Sequence, residues 1–274
     1  MYVDAHAHLD KYDSELPEIL HEIQRNEIFT VSVSMNPESY ARSRKIGEQS
    51  QWVVTSFGVH PWDATEFCNQ LESLDPLIDA SPMVGEIGLD YHFVTEPEKQ
   101  AIQRDVFKYF VQKGVSQEKI LNIHSKGAEA DVNRILGELG AKRAIIHWYS
   151  GPLQELEKLI EKGLYFSIGV EILSNSHIQA ITKAIPATQL LTETDNPGGY
   201  RWLTGELGRP AIIRSVVKMV SDIRAWDQKE TEELIAENFA RLAREDPWMP
   251  QMIKQKANRS PQQKKASVRD ESRF

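Results

Sequence analysis

Residues 2–9, which read YVDAHAHL, form a short β-rich run that precedes an amphipathic segment at residues 14–26. Seven further runs of the same kind follow, each with a helix-like segment or a crossover behind it. Runs that are almost continuously apolar or β-branched are typical of parallel strands covered on both faces. Eight such units are the number that closes a (β/α)8 TIM barrel, so the sequence predicts this α/β fold. The seven later runs are Ile28–Ser34, Trp52–His60, Met83–Asp90, Lys119–Ser125, Arg143–Ser150, Leu164–Val170 and Gln189–Asp195.

The segments between the runs carry the boundary signals of helices. Pro37 stands where a first-turn proline is tolerated, and Gly114, Gly140 and Gly163 stand where helices are expected to stop. A long loop is expected at Pro197–Gly208. An open doubly wound sheet is the structural alternative, although no GxGxxG motif follows the first run, which weakens a dinucleotide-binding version of it. The helical segments are Ser14–Asn26, Pro37–Glu48, Pro97–Lys113 and Gly127–Leu139, and beyond the eighth run Pro210–Arg224 and Gln228–Arg244.

The composition is that of an ordinary globular protein. The chain has 274 residues, of which 41% are hydrophobic and 26% charged, which excludes disorder, collagen and a small disulfide scaffold. Cys68 is the only cysteine, so no intrachain disulfide can form. The N-terminus already carries a charged residue at Asp4 and lacks the apolar core of a signal peptide. No segment of the sequence approaches the roughly 18 consecutive apolar residues that are needed to span a bilayer. These features predict a cytoplasmic protein that does not contact a membrane.

The charge is divided unevenly between a body and a tail. Residues 250–274 carry seven basic and two acidic side chains, a net charge of +5, so the total of −8 leaves −13 on residues 1–249. The tail is rich in Gln, Lys and Ser without a hydrophobic period, so we expect one TIM-barrel domain at residues 1–249 and disorder at 250–274. An acidic body binds nucleic acid poorly without specific contacts. The tail is therefore either a solvated terminus or an electrostatic arm that contacts nucleic acid or another partner.

Histidines and carboxylates fall at the ends of the predicted strands. His6 and His8 are two residues apart, so the period of a strand puts both imidazoles on one face. The carboxyl ends of barrel strands form the face where active sites are built. A lone strand-end histidine is usually a hydrogen-bonded structural residue, but six ligand-type residues at five strand ends predict a shared metal site. The other four are Glu86, His124, His147 and Asp195.

The donor set predicts a centre with two divalent ions. Imidazole and carboxylate without thiolate suit zinc, manganese, magnesium or iron, and the sequence leaves the choice open. Six ligands are more than one tetrahedral ion needs. A carboxylate must bridge two cations that lie about 3.5–4 Å apart, and Glu86 is the candidate. Gly85 and Gly88 beside it indicate a close backbone approach or a bulge.

Six motifs occur in an order that is typical of one enzyme family. They are DAHAHLD at 4–10, GVHPW at 58–62, GEIGLDYH at 85–92, NIHSK at 122–126, HWYSG at 147–151 and LTETDNP at 191–197. Through them, residues 1–245 resemble the TatD-like metal-dependent deoxyribonucleases of the amidohydrolase superfamily. The resemblance implies a TIM barrel, a divalent-metal centre and hydrolysis of phosphodiester bonds in DNA, with 3′→5′ exonuclease action expected.

The resemblance also assigns roles residue by residue. Where the family often has Cys or Ala followed by Phe, this chain has Trp148 and Tyr149, so its substrate pocket is expected to differ. The carried-over metal ligands are His6 and His8 with Asp195 at the first metal, Glu86 as the bridge, and His124 and His147 at the second metal.

Three residues near the same rim are predicted to contact the substrate. His60, in the GxHP motif, ends the third run and is expected to contact the scissile phosphate; the alternative is a hydrogen-bonded turn histidine. His92 and Lys126 follow the fourth and fifth runs, and Lys126 could offer a point charge to phosphate. An ordinary solvated position is the alternative for both. With Asp195 as general base and Glu86 between the ions, His60 completes the predicted catalytic set.

Two other functions stay open at this point. The same metal centre could cleave esters or amides, as in the D-aminoacyl-tRNA deacylases that some TatD-like proteins resemble, with the 197–208 loop and Trp148-Tyr149 shaping an acyl pocket. A non-catalytic subunit that uses the barrel as a scaffold is the third possibility, and a purified protein without bound metal would favour it.

Overall fold

A single parallel sheet forms the centre of the molecule. The computed structural model describes residues 1–244 and Asp246, and this part of the chain contains eight strands in the order β1 to β8, each paired in parallel with the next. Helices lie between successive strands, so the predicted (β/α)8 barrel is confirmed. The strands are β1 (Tyr2–Ala7), β2 (Ile28–Val33), β3 (Val53–Phe57), β4 (Met83–Gly88), β5 (Leu121–His124), β6 (Ala144–His147), β7 (Tyr165–Ile168) and β8 (Leu190–Thr192).

The helices begin and end close to the signals in the sequence. Asn36 caps α2, because its side chain accepts a hydrogen bond from the backbone N–H of Ser39 at 3.0 Å. Gly140 and Gly163 follow α6 and α7 as expected, both with positive φ. Within the described ranges the helices are α1 (Leu16–Arg25), α2 (Pro37–Gly47), α3 (Ala64–Phe67), α4 (Asp75–Ala80), α5 (Pro97–Ser116), α6 (Glu129–Glu138), α7 (Leu153–Glu161), α8 (Ser176–Ala184), α9 (Gly198–Thr204), α10 (Ile213–Arg224) and α11 (Gln228–Leu242).

The first and last strands meet at the carboxyl rim of the barrel. The backbone N–H of Asp195 donates to the carbonyl of His6 at 2.9 Å, and the N–H of His8 donates to the carbonyl of Asn196 at 2.7 Å. Lower in the barrel, the Thr192 hydroxyl donates to the carbonyl of Val3 at 2.7 Å. These bonds bring the segment after β8 against the end of β1.

All eight predicted strands end one to three residues earlier than the sequence suggested. β3 ends at Phe57 and β8 at Thr192, so His60 and Asp195 lie three residues beyond the strands that they were predicted to end. At Asp195 the backbone turns into the left-handed region, with φ of 49°, which ends the extended conformation. Both side chains still lie at the carboxyl rim.

Two local predictions about α-helices were wrong. Gly114 does not stop a helix, because α5 continues to Ser116; a Cβ at Gly114 would lie 2.3 Å from Leu121 Cδ2, so the glycine lets the helix pack closely on β5. The Pro197–Gly208 segment is not simply a loop, because it contains α9. Pro197 immediately precedes this helix, a position where its fixed φ is compatible with a helix start.

The predicted domain boundary at residue 249 and the basic tail at 250–274 lie outside the described residues. Within the part of the chain that the structure covers, no helix combines the length and the apolar character that crossing a bilayer requires.

Candidate metal centre

The six predicted metal ligands come together at the carboxyl rim, and we call them the rim cluster. Glu86 is buried at its centre, and its two carboxylate oxygens face two different groups of side chains. The members are His6 on β1 and His8 just after it, Glu86 on β4, His124 at the end of β5, His147 at the end of β6, and Asp195 after β8.

The first group faces the Oε2 atom of Glu86. The Nε2 atoms of His6 and His8 lie 3.5 and 3.4 Å from this oxygen, and 3.6 and 3.3 Å from Oδ1 of Asp195. These separations are longer than good hydrogen bonds. They match the spacing of about 3.3 Å between neighbouring ligands around a tetrahedral ion with bonds of about 2.0–2.1 Å. His6 Nε2 and Glu86 Oε2 are both buried without a hydrogen-bond partner.

Asn122 fixes which nitrogen of His6 is available to this group. The Asn122 side-chain amide donates to the carbonyl of Ala5 at 2.8 Å, so its Oδ1 faces His6 Nδ1, also at 2.8 Å. His6 Nδ1 must therefore carry the proton and donate, which leaves a lone pair on Nε2. That lone pair points towards two carboxylates, an arrangement that requires a cation.

The second group faces the Oε1 atom of Glu86. His147 Nε2 lies 2.9 Å from this oxygen and His124 Nδ1 lies 3.1 Å from it, and the two nitrogens are 3.2 Å apart. His124 Nε2 lies 3.1 Å from Oδ2 of Asp90, and His147 Nδ1 lies 3.5 Å from Oε1 of Glu193. A carboxylate beyond each ring attracts the proton to the outer nitrogen. Three acceptors then face one another, and this group also requires a cation.

The electrostatics of the rim cluster favour positive charge. Burial lowers the pKa of His8, but the carboxylates of Asp195 and Glu86 outweigh it and raise this pKa to about 9. Burial also opposes the charge on His147, and yet Glu86 and Glu193 raise its pKa well above the ordinary value. Burial would raise the pKa of Glu86, but the surrounding imidazoles hold it well below its usual range. The cluster therefore retains cationic charge, as protons or as metal ions.

Close contacts between β4 and β5 hold Glu86 in position, as the neighbouring glycines suggested. A Cβ at Gly85 would lie 2.6 Å from Asn122 Cβ, and one at Gly88 would lie 2.0 Å from the backbone oxygen of His124. The pairing of β4 with β5 changes register between Val84 and Ile87, so the strand is irregular where it carries Glu86. Glycine is needed here because any side chain would push β4 away from β5.

His60 reaches the rim cluster as a hydrogen-bond donor. The backbone N–H of Trp62 donates to His60 Nδ1 at 3.2 Å, so in the neutral ring the proton is on Nε2, which lies 3.4 Å from Glu86 Oε1. Burial lowers the pKa of His60, which keeps the ring neutral. The atoms of His60, Glu86 and His124 are close enough to share an ion. The protonated Nε2 nevertheless makes His60 a donor rather than a ligand.

Asp4 supports the segment that carries Asp195. Its buried carboxyl accepts the backbone N–H of Thr194 at 2.9 Å and the Thr194 hydroxyl at 2.6 Å. Burial raises the pKa of Asp4 to about 8. The structure therefore places Asp4 under the Asp195 segment.

The other two predicted substrate contacts, His92 and Lys126, bond to residues outside the rim cluster. His92 is exposed, its backbone N–H donates to Asp90 Oδ1 at 3.0 Å, and its ring contacts Phe93. Lys126 is half-buried, and its Nζ donates to the Ser150 hydroxyl at 2.9 Å. Both residues stay predictions as substrate contacts.

Of the two residues expected to change the pocket, only Trp148 is partly exposed. Its indole N–H donates to Glu171 at 2.7 Å, and a Cβ at Gly199 would lie 2.5 Å from its ring. Tyr149 is buried, and its hydroxyl donates to the carbonyl of Pro152 at 2.7 Å. The expectation that Tyr149 lines a pocket was wrong, because the side chain packs in the core.

Three residues that complete the site were missed by the sequence reasoning: Asp90, Asn122 and Glu193. Asn122 precedes His124 by two residues on β5, so the strand period puts it on the same side as that predicted ligand. Glu193 precedes Asp195 by two residues but lies just beyond β8, so the strand period does not apply to it. A polar residue inside an otherwise apolar run was the available signal.

Comparison with known protein families identifies the class of protein. The model of the family described as TatD related DNase matches residues 3–244. This chain therefore belongs to the TatD family, whose members include metal-dependent hydrolases.

Individual relatives agree with this class. The chain is 27% identical over 258 residues to the uncharacterized metal-dependent hydrolase YabD of Bacillus subtilis, covering 89% of this chain and 99% of that protein. It is 26% identical over 259 residues to the human deoxyribonuclease TATDN3, covering 88% and 93%. The crystal structure of YJJV, a TatD homolog from Escherichia coli, matches with a TM-score of 0.80 at 22% identity, covering 88% of this chain and 97% of the other. The last match bears on the fold alone.

Proposed function

We propose that this protein is a 3′→5′ exodeoxyribonuclease that hydrolyses phosphodiester bonds with two divalent ions held by the rim cluster. The observation that carries the proposal is the position of Glu86 between two groups of acceptor atoms. Its Oε2 faces His6, His8 and Asp195, and its Oε1 faces His124 and His147. One carboxylate that serves two such groups is the arrangement that a bridged two-metal centre needs.

The chemistry of the donors fits this cofactor. Imidazole nitrogens and carboxylate oxygens suit zinc, manganese or magnesium, and each group brings such atoms close to one oxygen of Glu86. When bound, two divalent ions supply Lewis-acid activation of water and neutralise the charge that develops on a phosphate. The TatD family membership and the name of the human relative TATDN3 support DNA as the substrate.

Residues of the chain provide the remaining steps. Asp195 is the partly exposed carboxylate of the cluster, and its pKa is held below the ordinary value because neighbouring His8 outweighs the effect of burial. As an ionised base at neutral pH, it accepts a proton from the attacking water. His60 Nε2–H is a buried donor beside Glu86, and it donates to an oxygen of the scissile phosphate. Lys126 and His92 are further phosphate contacts on the adjoining loops.

Metal analysis and cleavage of labelled DNA test this proposal together. We expect two ions per chain by elemental analysis, and stepwise shortening of a 5′-labelled single-stranded oligonucleotide with Zn²⁺, Mn²⁺ or Mg²⁺ but not with chelator. A phosphorothioate-blocked 3′ end should stop the shortening. Glu86→Ala and His147→Ala should lose metal and cleavage, and near-wild-type rates in either variant would contradict the assignment.

The other candidate functions are outcomes of the same experiment. Release of the amino acid from D-aminoacyl-tRNA, with no shortening of DNA, would replace the nuclease proposal by an ester hydrolase that uses the same centre. A folded protein that binds no ion after incubation with each metal would indicate a non-catalytic role.

A further inference from the structure

Two large aromatic side chains are exposed close to the rim cluster. Trp62, after β3, is 50% exposed, and Phe93, after β4, is 58% exposed. Their ring centroids are 5.7 Å apart at an interplanar angle of 87°, so the two rings meet edge to face. We call this pair the aromatic corner. Exposed apolar rings that touch each other form a patch of the kind that marks a binding surface.

Asp90 holds the aromatic corner in a fixed position relative to the rim cluster. Its Oδ2 accepts the indole N–H of Trp62 at 2.8 Å and faces His124 Nε2 at 3.1 Å. Its Oδ1 accepts the backbone N–H of Phe93 at 2.8 Å. The Trp62 ring also packs edge to face on His60, with centroids 4.7 Å apart. The corner is therefore preorganised beside the groups that are proposed to act on phosphate.

Cationic side chains lie on the loops next to the aromatic corner. Lys11 is exposed, and its Nζ lies 3.0 Å from the sulfur of Met35, whose carbonyl accepts the backbone N–H of His60. Lys126 lies beside the segment that carries Phe93, because its carbonyl accepts the backbone N–H of Tyr91 at 2.9 Å. A ligand with a flat ring and an attached phosphate matches this combination of aromatic and positive groups.

We propose that the aromatic corner stacks the nucleobase next to the phosphodiester bond that is cleaved, and so makes hydrolysis depend on the presence of a base there. This proposal rests on the proposed nuclease function. The near-perpendicular rings allow a base to stack on one ring while it contacts the edge of the other, which are the two favoured aromatic geometries. Every base has such a face, so the corner selects for a base and not for its identity.

The test removes the base without removing the phosphate. The substrates are a 5′-labelled single-stranded thymidine oligonucleotide and the same oligonucleotide with abasic tetrahydrofuran sites at its two 3′-terminal positions. Wild-type enzyme is expected to prefer the first by about tenfold or more in kcat/KM, since stacking of one base on an aromatic side chain is worth this much. Phe93→Leu leaves only the Trp62 ring and should lower the preference severalfold, and Phe93→Tyr should keep it. The leucine variant loses the ring and keeps a similar apolar side chain.

Two further measurements distinguish a failure of this proposal from a failure of the proposed nuclease function. Fluorescence anisotropy in chelator measures binding of both oligonucleotides without cleavage, and the same preference and the same decrease in Phe93→Leu are expected. Trp202→Ala removes another exposed indole, on α9, and should leave the preference unchanged. Base-dependent binding without any cleavage would support the corner and reject the nuclease. Cleavage or binding that is equal for both substrates in wild type, or a preference that is undiminished in Phe93→Leu, would overturn the aromatic corner.

Discussion

Replacement of Asn122 by leucine tests how the structure fixes the His6 ring. Asn122 is fully buried, and it makes one bond to the Ala5 carbonyl and one to His6 Nδ1, both at 2.8 Å. Leucine has nearly the same size but leaves both groups buried without a partner. Each loss costs about 1–3 kcal/mol, so the free energy of unfolding should fall by about 2–6 kcal/mol. The ring also loses the partner that orients it, and metal affinity should fall about 10–100-fold.

Urea unfolding in chelator measures the first effect, and competition with a chromophoric zinc chelator measures the second. Asn122→Asp is the matched control, because its carboxylate still accepts from His6 Nδ1 but no longer donates to Ala5. It should lose about 1–3 kcal/mol of stability. Its zinc affinity should stay well above that of the leucine variant. If Asn122→Leu binds zinc as tightly as wild type, the proposed role of this amide in selecting the His6 tautomer is wrong.

Three further predictions concern the rim cluster. Glu86→Gln removes the charge of the bridge, so elemental analysis should find at most one ion per chain; two ions would exclude bridging. Gly88→Ala places a Cβ 2.0 Å from the His124 backbone oxygen, so the free energy of unfolding measured in urea should fall by about 1–3 kcal/mol. Gly198→Ala is the control: a Cβ there has no atom within 4 Å, so the free energy of unfolding should not change. Because the pKa of His8 is about 9, metal must displace a proton at neutral pH. Metal affinity should rise with pH up to about 9, and calorimetry in two buffers should detect proton release; a flat pH profile would contradict this.

The barrel and the six members of the rim cluster could be predicted because they depend only on strand number and direction. Parallel strands bring their carboxyl ends to one rim, so residues distant in sequence, such as His6 and Asp195, meet without any knowledge of side-chain contacts. The exact strand ends mattered little, since His60 and Asp195 lie beyond β3 and β8 and still reach the cluster.

The hydrogen-bond partners of the cluster could not be predicted in the same way. Asn122, Asp90 and Glu193 act through single atoms, and sequence periodicity gives the face of a strand but not the atom that a side chain meets. Gly114 shows the same limit for helices. A glycine at this position suggests the end of a helix, and only its contact with Leu121 in the structure shows that it allows close packing.

The contact between the two ends of the barrel has a consequence for its dynamics. His6 lies on the first strand, His8 directly follows it, and Asp195 follows the last strand. An ion bound by these three side chains would therefore hold together the seam where the first and last strands meet. At a concentration 100 times its dissociation constant, such an ion would disfavour opening of the seam by about 2.7 kcal/mol. The amides of His8 and Asp195, which bond across this seam, should then exchange with deuterium much more slowly once metal is added.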